Sequence, residues 1–371
     1  MIPAIAAVTL AALRIASPDA AAISGSHSGP VDIPRRDTPV TEPLVAVCDP
    51  GDFDGEPLHL VLLDHAGNVL GETGPVLAGE IRLCEALPAI DSLERAAWLQ
   101  PVVAGEPAGA SWVIVPMRDR PTMRTATAMR PDGVTPYTRV VGWGDAVLEP
   151  AVDTTREAAK SWEATSPPLG GFRCYPERDV VLETERGEIV VALRPDEAPN
   201  TAWNFRDLAA AGFYDGTIVH RVVPLDREGR PFVIQGGDPT GEGEGGPGYT
   251  IPFEPTRLPH DFGVISMARD DDPDSAGSQW FIGLSRDGTA RLDGQYAAFG
   301  EVVDGAATIV EIANVVIADP ARGRPETPPV VRRAFLRSAP PRTPGEGRPD
   351  RRVSPVSVVP VAPGVPADPG R

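Results

Sequence analysis

The chain has 371 residues and a hydrophobic fraction of 42%, enough for a core, while its 38 glycines and 43 prolines disfavour long helices and coiled coils. Acidic residues outnumber basic ones by 52 to 34, and the net charge of −18 argues against a nucleic-acid or anionic-membrane binder. The longest apolar run, residues 2–13, is shorter than the roughly 20 residues of a membrane-spanning helix, so we expect no membrane insertion. Five histidines and three cysteines show no zinc-site spacing, and we expect neither a metal nor a cofactor.

Residues 1–24 predict an export signal, because a long apolar stretch precedes small residues there. The stretch lacks a basic beginning, and Arg14 follows it, so an apolar first segment of a cytoplasmic protein is the alternative. We therefore expect an exported protein, periplasmic or secreted, with the cytoplasm as the alternative. In an oxidising compartment Cys48 and Cys84 are candidates for a disulfide, although the sequence does not fix their geometry.

The first half of the chain predicts a small β-rich domain of unknown type. Residues 25–42 are polar and proline-rich and predict a tether. Residues 43–150 carry short apolar runs between turn residues, and nothing in them assembles into a site. Residues 151–176 predict a linker with one short helix around 154–162.

Residues 177–338 have the clearest pattern, and residues 339–371, rich in proline and arginine, predict a disordered tail. A helix is predicted from Asn200 or Thr201 to Gly212, and a second helix after Asp304. Many short strands with two helices predict a mainly β fold, a closed barrel with helices over its openings. The predicted strands are 180–184, 188–193, 217–223, 232–235, 263–267, 279–284, 297–303 and 329–336.

One region collects a fixed cation, amides and apolar side chains without a nucleophile or metal ligands. Singly, each has an ordinary explanation, because an arginine on a strand is usually solvated and a phenylalanine usually belongs to a core. The glycine-rich run 236–246 lacks the lysine and the following helix of a phosphate-binding loop, and we interpret it as a tight loop over the sheet. The motifs are 220–224, 232–238, 266–269, 277–282 and 292–296.

Together these motifs resemble the cyclophilins, the cyclosporin-binding class of peptidyl-prolyl cis/trans isomerases, over residues 177–338. The resemblance rests on the order and spacing of the runs 211–217, 234–241 and 272–279. It implies a closed, eight-stranded antiparallel β-barrel capped by two α-helices. It also implies a rotamase that acts as a chaperone in protein folding. Its partners would be proline-containing peptides and unfolded proteins, and we expect a monomer.

The resemblance further implies a set of site residues. Arg221, Gln235 and Phe232 would be catalytic. An X–Pro amide resists rotation by about 18–20 kcal/mol, and a fixed guanidinium beside an apolar pocket suits the twisted amide better than the planar one. The residues that would bind substrate are Val233, Phe281, Leu292, Ala268, Arg269, Gln279, Gly243 and Tyr296.

The chain also departs from the family pattern. Residues 225–231 form a charged insert where the family has one residue, Val233 replaces the usual methionine, and Arg291 and Tyr296 stand where many members carry tryptophan and histidine. We expect the arginine to weaken cyclosporin binding more than catalysis. An alternative is a weakly catalytic peptide-binding or scaffold protein whose insert occludes the pocket. An unrelated barrel enzyme, suggested only by the glycine loop, is a third hypothesis.

Overall fold

The computed structural model describes residues 30–33, 35–49, 56–118, 123–130, 133–143, 146–147, 169–346 and 351–354. The predicted export signal and the short helix around 154–162 lie outside these residues. The described chain forms two β-rich domains with few helices, and no helix in it is long and apolar enough to cross a membrane.

The first domain is built from thirteen strands, one short α-helix and one 3-10 helix in the described residues. The helices are α1 (Leu83–Ala86) and a 3-10 turn (Pro88–Ser92). The strands are β1 (Val31–Asp32), β2 (Asp37–Pro39), β3 (Val45–Cys48), β4 (Leu58–Leu63), β5 (Val69–Glu72), β6 (Gly79–Arg82), β7 (Ala97–Val103), β8 (Glu106–Pro107), β9 (Trp112–Arg118), β10 (Met123–Met129), β11 (Pro136–Trp143), β12 (Ala146–Val147) and β13 (Leu169–Pro176).

These strands pair into three sheets. A three-stranded sheet, β1-β3-β6, lies over a seven-stranded sheet with the order β2-β13-β9-β7-β4-β5, in which β8 also pairs with β7. Their facing side chains form one core, to which Leu58, Leu60 and Leu62 of β4 contribute. The third sheet, β10-β11-β12, is a separate hairpin with a short extra strand. The three cysteines are free thiols, two of them buried in this core.

The other face of the seven-stranded sheet is also covered. Alternation along β4 sends Val61 and Leu63 to this face, where they cluster with Trp98 and Tyr175. Trp203 of the second domain packs against the cluster, with its ring centroid 4.9 Å from that of Tyr175. Because both faces of the sheet are buried, a strand such as β4 is apolar at nearly every position instead of alternating with polar residues.

The structure differs from the predicted domain boundaries at three places. Residues 31–32 and 37–39, placed in the tether by the sequence, are β1 and β2, which pair with β3 and β13 inside the first domain. Residues 169–176, placed in the linker by the sequence, are β13, which pairs with β9 and β2 inside the first domain's sheet. Residues 339–346, predicted as disordered tail, return to this domain: Arg342 lies 3.9 Å over the Trp98 ring and donates two hydrogen bonds to Glu177. The last two of these segments are held by partners distant in sequence, which local composition does not reveal.

The second domain contains the remaining described elements. The helices are α2 (Pro199–Ala210), α3 (Arg286–Thr289) and α4 (Ala306–Ala313), with 3-10 turns at Pro273–Ser275 and Ala290–Leu292. The strands are β14 (Arg178–Thr184), β15 (Gly187–Leu193), β16 (Arg221–Leu225), β17 (Pro231–Gly236), β18 (Val264–Met267), β19 (Trp280–Gly283), β20 (Ala298–Asp304), β21 (Ile317–Asp319), β22 (Arg324–Pro325) and β23 (Val331–Ser338).

Eight of these strands form one antiparallel sheet, in the order β16-β17-β19-β18-β20-β15-β14-β23. The end strands β16 and β23 share no ladder. They approach each other through an isolated bridge between Ile218 and Val330 and through neighbouring backbone hydrogen bonds. The predicted number of strands is confirmed, whereas the predicted closed barrel is replaced by a half-barrel.

Two longer helices are present, as predicted, and both pack against the core face of this sheet. Their beginnings differ from the prediction. Helix α2 begins after Ala198 without a side-chain cap from its own residues. Glu254 instead accepts the backbone N–H groups of Asn200 and Thr201 at 3.0 and 2.7 Å. Helix α4 begins after Gly305, whose positive φ of 100° glycine readily adopts, and Asp304 does not cap it.

Candidate active site

The site is built on the face of the second sheet that points away from the core. Arg221 on β16 lies opposite Gln235 on β17, and Gln235 lies opposite Phe281 on β19. Residues next to them in sequence, Ile234 and Ile282, belong to the core. The period of two along each strand therefore separates a packing face from a face that is free to carry chemistry.

A chain of hydrogen bonds crosses this face. The Nη1 of Arg221 donates to Oε1 of Gln235 at 3.0 Å, and Nε2 of Gln235 donates to Oε1 of Gln279 at 3.1 Å. The Nε2 of Gln279 donates in turn to the carbonyl oxygens of Gly243 and Gly245, both at 2.9 Å. Each amide thus has its orientation fixed by the next group. The sequence predicted these residues as a set, but not that they form one relay.

Among the residues that the structure describes, no carboxylate neutralises the charge of Arg221. Its side chain is half-buried, and none of the described residues forms an ion pair with it. Burial lowers the pKa of the guanidinium from its ordinary value, and Tyr296 acts in the opposite direction. Because an arginine remains charged near neutral pH, the site holds a fixed cation that can still donate hydrogen bonds.

Aromatic rings form a wall beside this cation. The Phe281 ring packs edge-on against Tyr296, with centroids 5.4 Å apart, and stacks on His260 at 5.7 Å. The Nδ1 of His260 lies 3.0 Å from Oδ1 of Asp293, and its Nε2 lies 3.1 Å from Oγ of Ser266. The sequence did not identify His260 or Asp293 as part of this support, because no spacing connects residues so far apart.

The remaining predicted wall residues lie at the edge of the site. Leu292 ends a 3-10 turn and is half-buried, and its carbonyl accepts the backbone N–H of Tyr296. Val233 is 2% exposed, so little of its surface is open to a ligand. Phe232 is half-buried, and the Arg291 guanidinium lies 4.3 Å from its ring centroid.

The glycine-rich loop is organised by Asp238. Burial acts to raise the pKa of this carboxyl, but hydrogen bonds from Thr240, Gly243 and Gly245 hold it below its ordinary value. A Cβ on Gly245 would lie 2.0 Å from Oδ1 of Asp238, so only glycine fits there. The loop turns its carbonyl groups toward Gln279, which confirms that it is a tight loop.

A cavity of about 480 Å³ lies against this loop. It contains Gln235, Gly243, Ala268, Arg269 and Gln279 in its lining, but not the predicted apolar residues Phe232, Val233, Phe281 and Leu292. Among the residues that the structure describes, no group of three or more His, Cys, Asp or Glu side chains is placed to hold a metal ion.

The first domain reaches the border of this cavity through its β10–β11 hairpin. The backbone N–H of Val140 donates to Oε1 of Gln295, and the Val140 carbonyl accepts from Nε2 of Gln295, both at 3.2 Å. Arg130 pairs with Asp271 at 3.2 Å. The Gln295 carbonyl also accepts from Nε of Arg269, a cavity residue, so this contact connects the hairpin to the cavity wall. No sequence motif predicted this contact.

Comparison with protein families gives a match over residues 179–334 to the model of the cyclophilin type peptidyl-prolyl cis-trans isomerases. A peptidyl-prolyl cis-trans isomerase of Synechococcus elongatus is 44% identical over 124 residues, which are 33% of this chain and 79% of that protein. A peptidyl-prolyl cis-trans isomerase of Schizosaccharomyces pombe is 44% identical over 132 residues, 34% of this chain and 79% of that protein.

Among solved structures, a cyclophilin type peptidyl-prolyl cis-trans isomerase of Cryptosporidium parvum has 31% sequence identity and a TM-score of 0.40. The match covers 44% of this chain and 99% of that one. The same protein was also solved in the presence of the dipeptide Ala-Pro, with a TM-score of 0.39 and 31% identity. That match covers 43% of this chain and 99% of the other.

Proposed function

The chain belongs to the family of cyclophilin-type peptidyl-prolyl cis-trans isomerases, and from this premise we propose that it accelerates X–Pro bond rotation at the face around Arg221. The proposal rests on one observation above all. A half-buried guanidinium without a carboxylate partner in the described chain is fixed by the amides of Gln235 and Gln279.

Rotation about an X–Pro bond requires that conjugation between nitrogen and carbonyl be lost, at a cost of about 18–20 kcal/mol. No covalent bond is made or broken, so catalysis requires only tighter binding of the twisted state. In that state the nitrogen lone pair becomes an acceptor. We assign Arg221 as its donor, with the charge acting through a partly dehydrated site where electrostatic interactions are stronger than in water.

The other residues receive supporting roles. Gln235 keeps the Arg221 fork in place, and Gln279 keeps Gln235 in place. The ring of Phe281 provides an apolar contact surface, and Phe232, Val233 and Leu292 complete the proline pocket as we propose it. Ala268, Arg269, Gly243 and Tyr296 bind the residues that precede the proline.

The test is isomerisation of a proline-containing peptide, followed by exchange NMR with the full-length protein. We expect Arg221→Ala to lower kcat/KM by about 100-fold to 1,000-fold, the range for loss of one preorganised donor. Arg186→Ala, in an exposed hairpin turn, is the matched control and should keep the native rate. Equal rates for the native protein and buffer contradict the activity, and equal rates for the native protein and Arg221→Ala contradict the site.

We further propose that unfolded proteins are the substrates, since slow prolyl steps limit their folding. A refolding assay on a substrate protein with a rate-limiting prolyl step measures this, with Arg221→Ala as the inactive reference.

Export remains our proposal for the location, supported by the apolar stretch within residues 1–24. Mass spectrometry of the mature first residue, after expression in an exporting host, tests it: an uncleaved chain contradicts export by a cleaved signal.

The scaffold alternative is favoured by one contact, the Arg291 guanidinium over the Phe232 ring at 4.3 Å. In that case the peptide binds without faster rotation. The same exchange NMR experiment separates the two, because binding shifts peptide resonances while isomerisation adds exchange between the cis and trans peaks.

A further inference from the structure

The connection between β16 and β17 is a compact charged loop, residues 226–230. Leu225 pairs with Pro231 at its base, so the loop extends the hairpin. Its centre is the Asp226 carboxylate, whose side chain is only 4% exposed. Oδ1 accepts the backbone N–H groups of Glu228 and Arg230, each at 3.0 Å. The loop is therefore held in one conformation by its own first residue.

Asp226 also reaches outside the loop. Its Oδ2 accepts from Nη1 of Arg291 at 3.0 Å, in addition to two hydrogen bonds from Arg230. Nη1 of Arg291 further donates to the carbonyl of Gly288 at 2.5 Å. The guanidinium is thus fixed at one nitrogen and lies over the Phe232 ring, where the cation interacts favourably with the ring face.

The rest of that guanidinium is open to a ligand. The Arg291 side chain is 45% exposed, and its Nε and Nη2 have no partner among the residues that the structure describes. The two carboxylates of the loop are already paired, because Arg230 donates to both Asp226 and Glu228. A fixed guanidinium with free donors is suited to a carboxylate, which it can bind with two hydrogen bonds.

The opposite end of the site has the reverse charge. The charged residues in the lining of the cavity against the glycine loop are Glu244, Asp270 and Arg269, which leave one negative charge in excess. A peptide that crosses the site therefore passes a positive border at Arg291 and a negative border at the cavity. A negatively charged residue is therefore favoured on the Arg291 side of the proline and disfavoured on the cavity side.

We propose that Arg291 is a specificity-determining residue that selects substrates with an Asp or Glu next to the X–Pro pair, on one side of it. This inference rests on the proposed function and deepens it by naming the substrate class. Asp226 is the positioning residue, because it fixes the guanidinium over Phe232.

The experiment compares proline peptides that differ only in the residue before or after the X–Pro pair, with Glu, Gln or Lys at that place. At low ionic strength we expect kcat/KM for the Glu peptide to exceed that for the Lys peptide by about threefold to fivefold on one side, typical of a partly exposed ion pair. The ratio should fall toward one in 0.5 M salt, where the Debye length is only about 4 Å.

Variants then assign the effect. Arg291→Gln should bring the Glu/Lys ratio to about one, Arg291→Lys should restore much of it, and Arg186→Gln should leave it unchanged. A purely structural loss at Phe232 would slow both peptides equally and leave the ratio as it was. The inference is overturned if native protein isomerises Glu and Lys peptides equally, or if Arg291→Gln keeps the ratio. Absence of any isomerisation by the native protein contradicts the proposed function instead.

Discussion

The two large sheets of this molecule are made of similar apolar strands but differ in what covers them. In the seven-stranded sheet of the first domain, one face packs on a small sheet and the other on Trp203 of the second domain. In the eight-stranded sheet, the core face is packed, and the opposite face around β16, β17 and β19 carries Arg221 and Gln235. A buried face requires apolar side chains, whereas a face that stays partly open tolerates a charge and amides.

This difference indicates that side chains of the first sheet serve stability, while the proposed function assigns those on the open face of the second sheet to catalysis. Substitutions in the two sheets should therefore separate the two properties. The predictions below test that separation.

The largest effect is expected from Trp98→Ala in the first sheet. Trp98 is 1% exposed and is covered by Arg342. Removing a buried tryptophan should lower the free energy of unfolding by about 3–5 kcal/mol. Thermal unfolding measures the loss, and kcat/KM on a short proline peptide, measured well below the transition, should stay near the native value. If Trp98→Ala lost isomerase activity without a lower thermal unfolding transition, the two sheets would not be separate in function.

An intermediate effect is expected from Gln235→Leu on the open face of the second sheet. The variant removes the acceptor that positions the Arg221 guanidinium, a charge-assisted hydrogen bond of about 1.5–3 kcal/mol, so kcat/KM should fall roughly 10-fold to 100-fold. The thermal transition should move little, because the side chain is half-buried and outside the core. A native rate in peptide isomerisation would remove Gln235 from the mechanism.

The smallest effect concerns pH. His220, next to Arg221, is 6% exposed, and burial lowers its pKa, with Arg221 and Arg324 adding to the shift and Asp238 opposing it. The folded form therefore holds this histidine neutral more firmly than the unfolded chain does. Its contribution to stability is complete above about pH 6.5 and is lost as the pH falls, by at most about 1.4 kcal/mol per pH unit.

Thermal unfolding at several pH values between 7.5 and 5 checks this slope, with His220→Asn as the comparison. The variant's transition should change less with pH than that of the native protein, whatever its absolute stability. Identical pH slopes in the two proteins contradict the assignment to His220.

The residues of the hydrogen-bond chain could be singled out from the sequence because their motifs are local. Gln235 and the glycine loop stand in one run, and Gln279 lies in another whose spacing is distinctive. Short apolar runs also predicted eight of the ten strands described in residues 177–338 within a few residues, but not β21 and β22. The motifs did not predict whether the sheet closes, because a closed barrel and a half-barrel use the same strands.

The contacts that sequence reasoning missed join segments far apart in the chain. Arg342 lies on Trp98, Glu254 caps helix α2, and the Val140 backbone binds Gln295. Each depends on which segments become neighbours after folding. Local composition carries no information about which segments become neighbours. Proline-rich or charged segments were therefore predicted to be linker or tail.

By itself, the sequence determined a mainly β chain, because short apolar runs between turn residues favour strands. The order and spacing of its motifs also determined the resemblance to prolyl isomerases over residues 177–338. Only the tertiary structure decided that β13 belongs to the first domain, that the amides of Gln235 and Gln279 orient Arg221, and that Asp226 holds Arg291 over Phe232. These are contacts between residues far apart in sequence, and they form only when strands pair and pack.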